Sequence, residues 1–264
     1  MTVSPYEVLA VKYATRTGRR SRTFLNHHVY GEPDGLITMD FYLWVARNEH
    51  HTVVIDTGVG PTGRDGRAQR TELAEPMAAL AGLGVLPEDA PQVIATHAHF
   101  DHIGNLAAFP DSEVVMGLAE FDFWTGPYAR RQQFAFTTET AELAHLVEIR
   151  DQGRATFVAR PTTVAPGVEV IPVGGHTPGQ LVVRVATRTG HAVLTSDAAH
   201  FYEEFERDRP FTWLTDLEGT YRAYELLREL DSEPGHVLVA GHDPDVMRRF
   251  PLLDGGGDLV ARVS

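Results

Sequence analysis

The order of predicted elements is that of an α+β fold in which two β-sheets pack face to face under outer helices, an αββα sandwich. Three observations predict it. Strand patterns fill the first third of the chain, helical patterns the middle, and strands return in the last third with a helix between them. The strands are short β-branched or aromatic runs bounded by turn residues, not long amphipathic repeats. Finally, 264 residues, 43% of them hydrophobic, suffice for one large core, and no linker or low-complexity segment divides them. One domain over 1–264 is therefore expected.

The elements follow in order. Segments 40–47 (DFYLWVAR) and 51–56 (HTVVID) read as strands around the polar turn Asn48-Glu49-His50, and Thr57-Gly58-Val59-Gly60 ends the second. Helical spacing over 73–83 is stopped by Gly84 and Pro87. A short buried strand, 93–96, runs directly into His97, and 102–109 reads as a short helix. After a strand at 113–116, residues 117–152 are mostly helical, with breaks near Gly126-Pro127. Strands resume at 167–173, 180–186 and 191–196, the last two joined by Arg188-Thr189-Gly190. An amphipathic helix over 217–230 and a final strand over 236–240 precede Gly255-Gly256-Gly257, expected to be a loose end.

Composition narrows the chemistry. The chain has no cysteine, which removes disulfides, thiolate nucleophiles and sulfur-based metal sites. Thirteen histidines point instead to metal or proton chemistry. A net charge of −13 argues against nucleic acid or an anionic membrane as partner. The first 22 residues show no signal-peptide pattern, and no later run approaches the roughly 18 apolar residues of a membrane span. A cytoplasmic protein acting on a small molecule is expected.

The densest signal is His97-Ala98-His99-Phe100-Asp101-His102. Residues i and i+2 of an extended segment point the same way, so His97 and His99 can clasp one ion. Asp101 and His102 lie where the chain swings out of the strand, placed to face a second ion. His176, Asp197 and His242 each follow a predicted strand, and donors arriving at strand ends converge on one edge of a sheet. Taken singly, His176 and His242 are turn histidines and Asp197 a strand-end residue; together with the motif they complete a ligand set. Nitrogen and oxygen donors without sulfur suit Zn2+, Mn2+ or Fe2+.

The run THAHFDHIGN, the turn GGHTPGQ and the strand ends SDAAH and AGHDP resemble the metallo-β-lactamase superfamily. With IDTG at 55–58 they are most similar to its quorum-quenching N-acyl-homoserine lactonase branch, over about residues 39–242. The resemblance implies that His97, His99 and His176 hold one metal ion, Asp101, His102 and His242 a second, and that Asp197 bridges them. Two divalent ions, Zn2+ first, would then supply a bridging hydroxide that opens a lactone. Asp101 would pass a proton to the leaving alkoxide, and Asp56 would orient a ligand unless it merely caps the turn at Thr57-Gly58. Segment 117–152 and the N-terminal loop near Phe24 would shape the pocket, with Phe24, Met39 and Phe100 as an apolar wall.

One position departs from that branch. Three residues after the bridging aspartate, where a tyrosine usually contacts substrate, this chain has His200. It is expected to contact substrate or shuttle a proton. The other histidines (His27, His28, His50, His51, His145, His191, His236) read as turn or surface residues, Phe121, Phe123 and Trp124 as core, and Glu203-Glu204-Phe205-Glu206 as a solvated face. The rival readings are a thioesterase of glyoxalase II type or another ester hydrolase, and a non-catalytic metal-binding module. Few residues follow His242, leaving little room for a glyoxalase II-type C-terminal segment, and decayed members lose ligands that this chain retains.

Overall fold

In the computed structural model, which describes residues 4–61 and 70–264, period-two side-chain alternation divides the core into two. The first sheet is built on the long antiparallel pair β1 (Glu7–Arg19) and β2 (Leu36–Arg47), in register from Glu7 opposite Arg47 to Arg19 opposite Leu36, with a bulge near Lys12. Asn48 closes the next turn, its side-chain oxygen accepting the amides of His50 and His51 at 2.9 Å each. Beyond β3 (Thr52–Ile55), a short β4 (Thr71–Glu72) pairs with β1. The parallel strands β5 (Gln92–Ile94), β6 (Val114–Gly117) and β7 (Ala155–Val158) complete that side. The second sheet takes β8 (Thr162–Ala165), β9 (Val168–Pro172), β10 (Leu181–Thr187), β11 (Gly190–Ser196) and β12 (His236–Ala240), with β11 and β12 parallel.

Along the first sheet, Val8, Ala10, Tyr42, Trp44, Val53, Ile55, Ile94 and Val115 face the second sheet. Their alternates Leu9, Val11, Leu43, Val45, Val54, Val93 and Val114 face outward, under Leu80, Leu146 and Ile149 of α2 (Pro76–Gly82) and α5 (Thr140–Asp151). Burial on both faces explains why these strands read as continuous apolar runs. Over the second sheet lies α7 (Leu217–Ser232), which buries Ala223, Tyr224, Leu227 and Leu230 at three- and four-residue spacing. The result is the expected four-layer sandwich.

Several elements differ from expectation. β1 carries no turn signal or clean alternation at its start, because its first half is buried on both faces, and the sequence does not announce it. β7 and β8, four residues each and mostly half-buried, were not expected, because neither is long enough to show an alternating pattern. The helix expected over 73–83 begins only at Pro76, after Leu73 has donated its amide to Tyr13. Segment 102–109 is not helical beyond one 3-10 turn, Leu106–Ala108, because its backbone is spent on the neighbouring loop described below. The glycine-rich end is not loose either: β13 (Val260–Arg262) returns to pair with β1. Among the described residues, no helix is long and apolar enough to cross a membrane.

Candidate metal centre

Strand ends build the site. Beyond β5 the chain stays extended through Ala95, whose amide bonds Val115, and Thr96, whose carbonyl accepts the Leu181 amide at 2.9 Å. That bond ties the edge of one sheet to the other just before His97. The loop carrying the motif then folds onto the loop after β3: His102 offers its carbonyl to the Thr57 amide (2.7 Å), and Gly104 donates to Gly58 (3.0 Å). Gly60 and Gly104 meet backbone to backbone, and a Cβ on either would overlap the other. Asp197 follows β11, His242 follows β12, and His176 sits in the β9–β10 connection.

These residues form two groups of donors, His97, His99, His176 and Asp197 in one and Asp101, His102 and His242 in the other, the atoms of each within 4.8 Å of one another. Asp197 turns one carboxylate oxygen toward each. Its Oδ2 lies 3.6 Å from His97 Nε2 and 3.3 Å from His176 Nε2, while Oδ1 lies 3.3 Å from His102 Nε2 and 3.0 Å from His242 Nε2. Asp101 Oδ2 is 3.8 Å from His102 Nε2 and 3.9 Å from His242 Nε2. All seven side chains are buried.

Three of the rings are anchored on their far side. His102 Nδ1 pairs with Asp56 Oδ2 at 2.7 Å, His176 Nδ1 with the Trp213 carbonyl at 2.8 Å, and His242 Nδ1 with the Asp40 carbonyl at 2.7 Å. Such anchoring sets the tautomer and turns Nε2 toward the centre. Asp56, at φ +60°, also accepts from the Thr96 amide and from the hydroxyls of Thr96 and Ser196; its carboxylate is spent on the centre, not on the turn at Thr57-Gly58. By contrast His97 Nε2, His102 Nε2 and Asp197 Oδ1 are buried without a hydrogen-bond partner among the described residues. Orphaned buried donors and acceptors are costly unless something pairs them. A set of imidazoles and carboxylates aimed at shared space fits two divalent cations.

The electrostatics divide the donors. Burial alone would raise the pKa of Asp197, but the imidazoles of His200, His102 and His242 hold it well below the usual carboxylate range. Burial and neighbouring imidazoles push His97 and His176 well down, and His99 to about 4. These three stay neutral, with lone pairs free for a cation, whereas burial of His102 is outweighed by Asp197, Asp56 and Asp101, which lift it well above the usual imidazole range.

His200 lies inside the same cleft, with Nε2 3.0 Å from Asp197 Oδ2 and Nδ1 3.3 Å from Glu204 Oε1. Burial opposes its protonation, yet those two carboxylates lift it to about 9. Glu204 corrects the reading of 203–206 as a solvated face, since both Glu204 and Phe205 are buried. Glu204 caps the start of α6 (Tyr202–Arg207) by accepting the amides of His200 and Phe201, and its other oxygen accepts the Tyr224 hydroxyl at 2.9 Å. Its spacing of four from His200 was the available signal.

A second acid was missed altogether. Glu120, in the first turn of α3 (Leu118–Thr125), is fully buried. Its Oε1 accepts the Ala98 amide (2.9 Å) and the Trp124 indole (2.6 Å), and its Oε2 accepts the Gly179 amide (2.9 Å). One carboxylate thus joins the backbone between His97 and His99 to the loop that carries His176. A Cβ on Gly179 would collide with Glu120, so this junction requires glycine.

The remaining candidates sort clearly. Met39, Phe100 and His200 line the cleft with Arg16, Phe41, Thr137, Phe211 and Trp213. Phe24 is not among the lining residues; it is buried in the core against Phe201, 5.7 Å between rings, because its strand-like bridge to Phe211 turns it inward. His27 is likewise buried, contrary to its surface reading. Phe121 and Trp124 are core as expected, with Trp124 also edge-on to His99 at 5.6 Å. A larger groove of about 590 Å³ lies between the β2–β3 turn, the start of β5 and the end of β8, at the opposite strand ends, with none of these donors.

Comparison with known proteins places the chain. Residues 42–242 match the family model described as the metallo-beta-lactamase superfamily, and the chain belongs to that superfamily of hydrolases. An N-acyl homoserine lactonase of Bacillus cereus is 25% identical over 225 residues, covering 80% of this chain and 84% of that protein. Among solved structures, a quorum-quenching N-acyl homoserine lactone lactonase superimposes with a TM-score of 0.77 at 21% identity, over 96% of this chain and 98% of that one. AidC, a dizinc quorum-quenching lactonase solved with a product, gives 0.71 at 19% identity over 92% and 90%.

Proposed function

We propose that this protein is a dinuclear metal-dependent lactonase that opens a cyclic ester of the N-acyl-homoserine-lactone type. The observation that carries the reading is the divided carboxylate of Asp197, one oxygen toward each donor group. His97, His99 and His176 would hold one ion, Asp101, His102 and His242 the other, with Asp197 shared and Asp56 orienting His102. The donor set and the dizinc neighbour favour Zn2+ over Mn2+ or Fe2+. Bound there, two such ions supply Lewis acidity and a water of lowered pKa.

The chain's own residues do the rest. Met39, Phe41 and Phe100 exclude water beside the centre, and Thr137 brings the 117–152 segment up as a further wall. His200 donates a hydrogen bond to the ester oxygen on which charge develops, held in place by Glu204. Asp101 passes a proton to the departing alkoxide. The chain's −13 charge supports a small-molecule substrate over nucleic acid.

The test is a panel of lactones, thioesters and phosphodiesters offered to metal-loaded protein, read by proton release. Lactones should turn over with kcat/KM at least tenfold above the other classes. A thioester or phosphodiester at the top of the panel would replace this reading, and inactivity across all classes with both ions bound would favour a binding module.

A further inference from the structure

Arg16 stands on β1 opposite Met39 of β2, at the wall of the cleft. Its guanidinium carbon lies 5.9 Å from the centroid of the Trp213 ring, which gives the planar cation a platform. Of the described residues lining this cleft, it is the only lysine or arginine.

Its surroundings set it apart from other arginines of similar exposure. Arg20 makes two bonds to Glu203, Arg209 reaches Glu32, and Arg154 bonds the Ser112 carbonyl. Among the described residues, no carboxylate or carbonyl pairs with Arg16. The acid it feels most is Asp101, which is not within ion-pair distance and belongs to the proposed ligand set. Withdrawing a guanidinium from water without a partner is unfavourable, and here burial lowers its pKa. The cost is recovered when a ligand brings the missing acceptor. Around it Phe41, Phe100, Phe211 and Trp213 are apolar, so the fitting ligand has an apolar body and one anionic arm.

We infer that Arg16 is a specificity-determining residue that pairs with a carboxylate carried by the substrate, outside the ester that is cleaved. This rests on the ester-hydrolase reading above and narrows it: the preferred substrate is an anionic lactone, not its neutral counterpart. The acidic protein repels anions at long range, so selection for the carboxylate is made within the cleft, at contact.

The test uses matched pairs, a ring-opening lactone bearing a carboxylate and the same lactone with a primary carboxamide, with parallel pairs built on acyclic esters and thioesters. The wild-type protein should favour the carboxylate member in kcat/KM by roughly tenfold or more. Arg16→Met should bring that ratio close to one, chiefly through KM, Arg16→Lys should keep part of it, and Arg16→Glu should reverse it. Equal losses on both members in Arg16→Met, or a wild-type ratio of one or less, overturn the inference. A charge preference confined to the acyclic pairs sinks the lactone reading and keeps Arg16; lactone turnover without charge preference does the opposite. If no pair turns over, calorimetry on the Zn2+-loaded protein decides: the carboxylate lactone should bind wild type more tightly than Arg16→Met, and equal affinity overturns the proposal.

Discussion

The imidazole of His200 lies flat on the ring of Phe211, with centroids 3.7 Å apart and planes 18° from parallel. Stacking on one side and Glu204 at Nδ1 turn Nε2 toward the donor groups, 3.0 Å from Asp197 Oδ2. A donor aimed at developing charge acts on the transition state more than on the ground state. His200→Ala is therefore expected to lower kcat and kcat/KM together, by roughly a hundredfold, with metal content unchanged. Steady-state kinetics beside elemental analysis check this. Wild-type kinetics in the variant would return His200 to a packing role.

Glu120 gives a second expectation. A carboxylate accepts the three N–H groups that meet it, whereas an amide must turn its NH2 toward at least one of them. Glu120→Gln should loosen the His97 and His176 loops together. Metal affinity should fall roughly 10–100-fold, as when a partner that orients ligands is lost. Stability should fall by about 1–3 kcal/mol for the unsatisfied amides. Chelator competition separates the two effects, and a variant that loses stability but keeps its metal affinity would mark Glu120 as a structural strut only.

Asp197 is the hinge of the dinuclear reading. Asp197→Asn keeps the shape but trades one carboxylate oxygen for a donor facing an imidazole. The stoichiometry should drop from two ions toward one, and turnover should fall by at least roughly a hundredfold. Retention of two ions at normal turnover would show that the carboxylate is not shared.

Removal of metal tests the orphaned atoms. With His97 Nε2, His102 Nε2 and Asp197 Oδ1 buried and without a hydrogen bond among the described residues, a bound ion stabilises the folded chain by mass action. At a free Zn2+ concentration a thousandfold above Kd the gain is about 4 kcal/mol, which for a chain of this size raises Tm on the order of 10 °C. Thermal denaturation with chelator and with restored Zn2+ measures it. Identical melting curves would exclude these residues as ligands.

Much of this site was legible in the residue order. A strand running into His97-Ala98-His99 with Asp101-His102 behind it is a local pattern, and period-two geometry alone puts the first two imidazoles on one side. His176, Asp197 and His242 were found at strand ends, which apolar runs mark well. The αββα arrangement followed from element order in the same way. Tertiary structure alone decided what depends on groups distant in sequence. Glu120 is unremarkable until folding brings Ala98 and Gly179 to its two oxygens. Glu204 reads as a surface acid until α7 covers it with Tyr224, and Phe24 reads as a pocket wall until its bridge to Phe211 turns it into the core. Arg16 is one basic residue among several near the N-terminus; only the register with Met39 and the approach of Trp213 put it at the cleft, without a carboxylate or carbonyl partner among the described residues. The chain order encodes which residues are able to bind a cation, because that is a property of side chains and local periodicity. Which charges end up without a partner is settled by packing, because it depends on everything else that arrives.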